Sequence, residues 1–326
     1  MPSLQYVDNA VIQPAIEPAL EAIGWTLASI GGQEQDTLHN PELDLYLAQG
    51  GTLRFRITGE SFSCGDQDLI NAVVESAIAN GKAVFNSAKI RVSSDPSAAD
   101  VVELSPTDYF QGLATNEIGF KTAMLSDGRR VNGTELAFPG NVIPSLARSK
   151  LSNHIGACAL AFDTDGVVSL VRTSKSSMIA AQKISPSAAG SADIEDFHGR
   201  DGDLLECVLA GLKRELVEEQ GIAAGDITNA RVIGFQRYLP RGGKPEFIGL
   251  LRIGETWKSA RKGVSNEEAL FTNGHVDLNC AELGIRGLQA WLQENDTALS
   301  FSVRQCFWSL FNLAATDDEF HALVTA

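Results

Sequence analysis

Residues 204–222, LLECVLAGLKRELVEEQGI, carry the most informative pattern in this chain of 326 residues. Leucines recur along the stretch at helical spacing and Gly221 closes it, so the pattern predicts a helix over 204–220 that ends at this glycine. Positions i, i+3 and i+4 share one face of a helix, so Glu215, Glu218 and Glu219 should project together. Carboxylates this close repel one another unless a cation lies among them, and such oxygen ligands suit Mg²⁺ or Mn²⁺.

An acidic helix face is more often simply a solvated surface, but the residues around this one favour a site. The stretch resembles the Nudix box, G-x5-E-x7-R-E-U-x-E-E-x-G-U with U apolar, and every position from Arg214 to Ile222 fits. Glu206 stands eight residues before Arg214, which leaves the seven intervening residues that the box requires, whereas the opening glycine would fall on Arg200. The resemblance extends over about residues 150–280 and implies an α/β fold, the Nudix α/β/α sandwich with a mixed sheet.

The resemblance implies roles for the charged residues of the helix. Glu215, Glu218 and Glu219 would bind the metal ions, with Glu206 and Arg214 supporting them. On an unbroken helix Glu206 lies about 180° from Glu215, so it is expected either at a kinked helix start or behind the ligands.

The activity that the resemblance implies is attack of water on phosphorus in a nucleoside diphosphate linked to another moiety. The products are a nucleoside monophosphate and a second phosphate, and the metal activates the water and neutralises the leaving phosphate. Glu219 is the first candidate for the base that takes the proton from the water. Glu267 and Glu268, in a loop that follows the last strand pair, are weaker candidates, since a solvent-facing loop explains them equally well.

The region before the box resembles the front part of the animal Nudix hydrolase that cleaves UDP-sugars. The matching residues are Phe85, Lys89, Arg91, Leu104, Thr107, Tyr109, Thr115 and Asn116. This short resemblance implies a UDP-sugar substrate, with UMP and a sugar 1-phosphate as products. Lys89 and Arg91 alternate on one strand face, which is either a phosphate-binding face or a polar outer face.

The segment RGGKPEF, residues 241–247, predicts a hairpin turn at Gly242-Gly243. Arg241 and Lys244 at its tip are also candidates for contacting the diphosphate, because an acidic chain needs local positive charge to hold one.

The remaining patterns predict two domains, a smaller α+β domain over 1–145 and the Nudix domain over 146–326. In the first, residues 43–58 have the pattern of a β-hairpin with a turn at Gly50-Gly51, and residues 67–80 that of a helix. In the second, Asp165-Gly166 joins two apolar strands, and two helices are expected around 286–294 and 301–314.

Composition narrows the class of partner. The net charge is −15, which disfavours binding to nucleic acid and to anionic membranes. The five cysteines are scattered without metal-binding spacing, and no signal peptide or membrane span is recognisable, so a cytoplasmic protein is expected. The expected partner is a small-molecule nucleoside diphosphate conjugate, and a homodimer is compatible with the sequence.

Three alternatives remain open at this stage. One is a Nudix-fold sensor that binds a nucleotide without cleaving it, and another is a hydrolase of ADP-ribose or NADH. The third is isopentenyl-diphosphate isomerase chemistry on the same fold, although no cysteine of this chain stands in a suitable motif.

Overall fold

The structure is a computed structural model that describes residues 4–10, 12–30, 35–98, 100–199, 202–265 and 268–324. Its strands are β1 (Gln5–Asp8), β2 (Ala15–Ile16), β3 (Thr26–Ala28), β4 (Thr37–His39), β5 (Phe55–Ile57), β6 (Ala88–Val92), β7 (Val102–Asp108), β8 (Lys121–Met124), β9 (Arg130–Asn132), β10 (Val142–Ile143), β11 (Gly156–Phe162), β12 (Val167–Thr173), β13 (Ile184–Ser185), β14 (Ala188–Ser191), β15 (Ile227–Tyr238), β16 (Lys244–Ile253) and β17 (Thr272–Asn279). Its α-helices are α1 (Pro18–Glu21), α2 (Pro41–Ala48), α3 (Gln67–Ala79), α4 (Tyr109–Thr115), α5 (Gly133–Ala137), α6 (Leu204–Gln220), α7 (Trp257–Ala260), α8 (Cys280–Glu294), α9 (Phe301–Ala314) and α10 (Asp318–His321).

A mixed sheet of nine strands forms the centre of the described chain. Its main order is β13-β12-β11-β16-β15-β4-β3, with β14 paired to β11 and β17 paired to β12. Strands β11 and β16 run parallel, whereas β15 and β16 form an antiparallel hairpin. The predicted mixed α/β class is therefore confirmed.

Strand β11 shows how the sheet separates two cores. Its alanines at 157, 159 and 161 pack in the core that contains the apolar face of α6, while Cys158, Leu160 and Phe162 pack in the core that contains α9. Successive side chains of a strand point to opposite faces, so this alternation places one helical layer on each side. The arrangement is an α/β/α sandwich.

Helix α6 has a capping residue at its start, a terminating glycine at its end and apolar residues at helical spacing between them. The Asp203 side chain caps the first turn by accepting from the N–H of Leu205 at 3.0 Å, and Gly221 ends the helix with a φ of 65°. Only glycine adopts that conformation readily. Leu212 and Leu216 are fully buried one turn apart, which fixes the opposite, acidic face of the last turns away from the core.

The predicted β-hairpin over 43–58 is wrong. Residues 41–48 form helix α2, because Asn40 accepts from the N–H groups of Glu42 and Leu43 at 3.1 Å each and Pro41 fits the first helical position. The Asn-Pro pair was the signal for a helix start, and it outweighs the apparent alternation of the leucines that follow.

Strands β3 and β4 of the N-terminal half belong to the central sheet, and helix α2 packs against it. Strand β4 pairs with β15, where Leu38 lies opposite Arg237, and Asp44 of α2 accepts from the N–H of Phe235 at 2.8 Å. Leu38 and Phe235 share one buried cluster with α6. The predicted domain boundary between residues 145 and 146 is thus crossed by both a sheet and a core.

The other strands of the N-terminal half form small separate sheets, β5-β7-β6, β1-β8-β9 and β10-β2. The predicted helix over 67–80 is confirmed as α3, and the predicted hairpins at Asp165-Gly166 and at Gly242-Gly243 join β11 to β12 and β15 to β16. Across the described residues, none of the helices combines the length and the apolar character needed to cross a bilayer.

Candidate active site

The acidic face of α6 is organised by Arg214. Its guanidinium contacts Glu215 at 2.8 Å, Glu218 at 3.4 Å, Asp196 at 3.2 Å and Asp193 at 3.1 Å. These five residues are called the α6 cluster below. One guanidinium faces four carboxylates, so the cluster carries a surplus of negative charge.

Strand β14 provides the wall against which Glu215 lies. A Cβ on Gly190 would overlap the carboxylate of Glu215, so only glycine leaves room for that side chain. The Glu215 side chain is 18% exposed, and burial raises its pKa to about 7, with the charge of Glu218 acting in the same direction and Arg214 opposing both.

The other two predicted metal ligands differ in exposure. The Glu218 side chain is 46% exposed and pairs with Arg214. Glu219 accepts from the backbone N–H of Ala189 at 3.0 Å, and its carbonyl oxygen lies 3.1 Å from Nε2 of His275. All three glutamates therefore lie at the same end of α6, as the spacing predicted.

The three carboxylates do not converge on one point. Within the part of the chain that the structure describes, no group of three or more His, Cys, Asp or Glu side chains is gathered as a metal site. The reason lies in their hydrogen bonds, because Glu215 and Glu218 accept from Arg214 whereas Glu219 accepts from the N–H of Ala189. The cation that lies among the carboxylates of α6 is therefore the guanidinium of Arg214.

Glu206 does not pair with Arg214. Helix α6 runs unbroken from residue 204, so the predicted kinked start is absent and Glu206 is exposed on the first turn, on the side away from Glu215. Arg214 pairs instead with Asp196, whose carboxylate accepts hydrogen bonds from Nε and Nη2 of the guanidinium. Gly190 and Asp196 have the same G-x5-acid spacing that was sought at Arg200 and Glu206.

Seventeen residues then separate Asp196 from Arg214, where the box pattern has seven. The additional segment lengthens α6 at its N-terminus and docks on the N-terminal half of the chain. Leu53 donates its N–H to Asp203 at 3.1 Å, and Phe197 stacks edge-on against Phe55 with ring centroids 5.6 Å apart. An aspartate in place of the glutamate and this insertion explain why sequence reasoning missed Asp196.

Lys89 and Arg91 have different surroundings, although they share one strand face. Lys89 forms an ion pair with Asp193 and donates to the carbonyl of Ser191 at 3.3 Å, which brings it to the α6 cluster. Arg91 donates to the carbonyls of Leu151 and Ser149 at 3.1 and 2.9 Å. Both side chains are buried, so the expectation of a polar outer face is wrong.

Arg241 and Lys244 turn inward rather than forming an exposed basic tip. Arg241 donates from Nε to Glu117 at 2.6 Å and from Nη1 to Glu246 at 3.3 Å, while Lys244 contacts Glu246 at 2.7 Å. These four residues are called the hairpin cluster below. Two cations meet two carboxylates, so this cluster is balanced in charge. Lys244 and Glu246 are almost fully buried, whereas Arg241 and Glu117 are partly exposed.

His154 is a buried residue that carried no sequence signal, and it feels the charges of Lys244 and Arg241 in the hairpin cluster and of Lys89 beside the α6 cluster. Burial, together with the positive charges of Lys244, Arg241 and Lys89, holds its pKa well below the usual range, so the ring is neutral. Its ring lies against helix α4, where a Cβ on Gly112 would overlap it. In the described structure neither ring nitrogen has a hydrogen-bond partner.

Some sequence predictions fall outside the described residues. Arg200 and Glu267 are among these, and the structure describes the backbone of Glu268 but not its side chain. Their predicted roles, as the position of the opening glycine and as alternative bases, stay predictions.

Comparison with known proteins finds no matching family model and no matching curated protein. Two solved structures are similar to part of the chain. One is DR0079 from Deinococcus radiodurans, with 17% identity and a TM-score of 0.32 over 47% of this chain and 82% of that one. The other is the MutT protein from Methanosarcina mazei Go1, with 20% identity and a TM-score of 0.31 over 50% of this chain and 95% of that one. Scores of this size do not establish a shared fold, so function has to be argued from the site.

Proposed function

We propose that this chain is a metal-dependent hydrolase of the Nudix type, which cleaves the diphosphate linkage of a nucleoside diphosphate conjugate. The observation that carries the proposal is the contact between Gly190 and Glu215, together with the ion pair between Arg214 and Asp196. Gly190 and Asp196 have the G-x5-acid spacing of the box, and these contacts bring them beside the R-E-U-x-E-E segment that begins at Arg214. The linear pattern placed the glycine and the acid elsewhere, at Arg200 and Glu206.

The donor set fits a hard divalent cation. Glu215, Glu218 and Glu219 offer only oxygen atoms, and the missing side chain at Gly190 keeps space beside the first of them. These three residues would hold Mg²⁺ or Mn²⁺, which when bound lowers the pKa of a water molecule and neutralises phosphate charge.

The chain's own residues would prepare this face for its ligand. Arg214, anchored by the buried Asp196, holds Glu215 and Glu218 on one side of α6. The N–H of Ala189 fixes the carboxylate of Glu219, which is our candidate for accepting the proton of the attacking water. Among the predicted cations, Lys89 is our candidate for approaching a phosphate, because its ion pair with Asp193 brings it to the α6 cluster, whereas Arg91, Arg241 and Lys244 bind partners outside that cluster.

Among substrates, UDP-sugars are our first choice, on the resemblance of residues 85–116. The test is release of nucleoside monophosphate from UDP-glucose, ADP-ribose, NADH and a dinucleoside polyphosphate, with Mg²⁺ or Mn²⁺ and with chelator. We expect metal-dependent cleavage of at least one conjugate, and cleavage of UDP-glucose to UMP and glucose 1-phosphate would fix the substrate. An intact panel would reject the hydrolase proposal.

A nucleotide sensor without hydrolysis is the second candidate, and one observation favours it. Arg214 already lies between Glu215 and Glu218, and the described residues hold no preassembled metal site. Calorimetry separates the two candidates, because a sensor binds the conjugate tightly and returns it intact.

A further inference from the structure

A cavity of about 430 Å³ lies between helix α3 and the segment 174–183, on the side of the hairpin cluster that faces the N-terminal half. Cavities of this size hold small organic ligands. The cavity is absent from every prediction made from the sequence, since its walls come from four separate parts of the chain.

One half of the cavity is apolar. Val73 and Ala77 of α3 and Leu113 of α4 form one wall, and all three side chains are buried. Met178 and Ile179 of the segment 174–183 form the wall opposite. Two facing apolar walls suit a flat ring system better than a hydroxyl-rich sugar.

The wall formed by the segment 174–183 is fastened in place. Lys82 donates to the carbonyls of Lys175 and Ser177 at 2.9 Å each, and the N–H of Ala83 donates to the carbonyl of Ser176 at 3.1 Å. Because these bonds tie the segment to the residues that follow α3, the cavity is formed before any ligand arrives. A preformed cavity spares the ligand part of the ordering cost of binding.

The other end of the cavity is polar. Glu117 lies there with Lys121 and Tyr6, and the ammonium of Lys121 stands 5.6 Å from the centroid of the Tyr6 ring. The carboxylate of Glu117 is an acceptor for the N–H groups of a base or for the hydroxyl groups of a ribose.

Glu117 also connects the cavity to the α6 cluster through a line of contacts. It pairs with Arg241, which pairs with Glu246, and a Cβ on Gly156 would overlap both Glu246 and Lys244. Gly156 is the neighbour of Ser191 across the β11–β14 pair, next to the glycine that makes room for Glu215.

We propose that this cavity binds the nucleoside half of the substrate, with the base between α3 and the segment 174–183 and with Glu117 as its polar anchor. The inference rests on the proposed function, because it assigns the diphosphate to the α6 cluster. It makes residues of α3, of α4 and of the segment 174–183, together with Glu117, the determinants of nucleoside recognition.

The test is calorimetric binding of UMP, AMP and glucose 1-phosphate in EDTA, so that neither metal nor turnover is needed. Ser76→Phe places a ring in the cavity from α3, and Met178→Trp does so from the opposite wall. Glu75→Phe is the matched control, because Glu75 is the exposed neighbour of Ser76 and does not line the cavity. Circular dichroism confirms that each variant is folded.

We expect at least one nucleotide to bind the wild type and to bind both cavity variants about tenfold or more weakly, with Glu75→Phe unchanged. Glu117→Gln should lower the affinity for the same nucleotide. Equal nucleotide affinity in a folded cavity variant, absence of nucleotide binding by the wild type, or selective loss of glucose 1-phosphate binding would each overturn the assignment.

Hydrolysis by the same proteins separates the two proposals. If the wild type cleaves a conjugate and Ser76→Phe leaves KM unchanged, the hydrolase stands and the cavity assignment fails. If nothing is cleaved but nucleotide binding is lost in both cavity variants, the cavity assignment stands and the hydrolase proposal fails.

Discussion

The α6 cluster and the hairpin cluster contain the same kinds of side chain but differ in balance and exposure. In the hairpin cluster two cations meet two carboxylates, and Lys244 and Glu246 are almost fully buried, whereas in the α6 cluster one guanidinium faces four carboxylates and Glu218 is half exposed. A cluster that is balanced in charge has no net charge to attract a cation, while a surplus of carboxylates at the surface has. The first holds the fold together and the second is the candidate site.

The largest effect that separates the clusters is on stability. Glu246→Gln should lower the free energy of unfolding by about 3–5 kcal/mol, because Lys244 would be left buried without its partner. Glu218→Gln should change it by less than about 1 kcal/mol, since that carboxylate is exposed. Urea unfolding of both variants measures the difference, and equal losses would show that the clusters are energetically alike.

The next effect is on activity and comes from a glycine. Gly190→Ala should reduce metal-dependent hydrolysis about 10- to 100-fold, because the added Cβ displaces the carboxylate of Glu215. Gly225→Ala is the control, as a Cβ there meets nothing within 4 Å. The measurement is the initial rate of hydrolysis by each variant at saturating Mg²⁺. Full activity of Gly190→Ala would show that the reaction does not take place at Glu215.

A smaller effect tests which acid supports Arg214. Asp196→Asn should lower the affinity for Mg²⁺ about tenfold, because the guanidinium loses the partner that orients it toward Glu215. Glu206→Gln should leave metal affinity unchanged. If Glu206→Gln lowered metal affinity and Asp196→Asn did not, Glu206 would be the acid that supports Arg214, as the sequence pattern predicted.

A further effect is on the pH dependence of stability without metal. The pKa of Glu215 is raised from its ordinary value of 4.5 to about 7, so the folded state binds the proton more tightly than the unfolded state. Stability contributed by this group is therefore full below pH 4.5 and is lost as the pH rises through 7. Unfolding in EDTA from pH 5 to 8 should show the wild type losing stability relative to Glu215→Gln, by at most about 1.4 kcal/mol per pH unit. A constant difference between the two proteins would contradict the raised pKa.

Sequence alone predicted the parts of this molecule that depend on local pattern. Helix α6, its terminating Gly221 and the shared direction of the three glutamates follow from helical spacing. The paired strands around Asp165-Gly166 and Gly242-Gly243 follow from turn residues that few other conformations accept.

What sequence could not predict depends on contacts between distant residues. Arg241 and Lys244 looked like an exposed basic tip, but Glu117, more than a hundred residues away, draws Arg241 inward. Asp196 was hidden by an insertion that docks on Leu53 and Phe55, and a shifted search for G-x5-acid would have found it. Burial of a charge is decided by the partner, and the partner is invisible in a local window.

Titration with Mn²⁺, followed by electron paramagnetic resonance, shows whether Glu215, Glu218 and Glu219 hold a divalent cation. We expect the wild type and Glu206→Gln to bind Mn²⁺ alike, and Glu218→Gln and Glu219→Gln to lose most of that binding. Equal Mn²⁺ binding by all four proteins, or none by the wild type, would contradict the account.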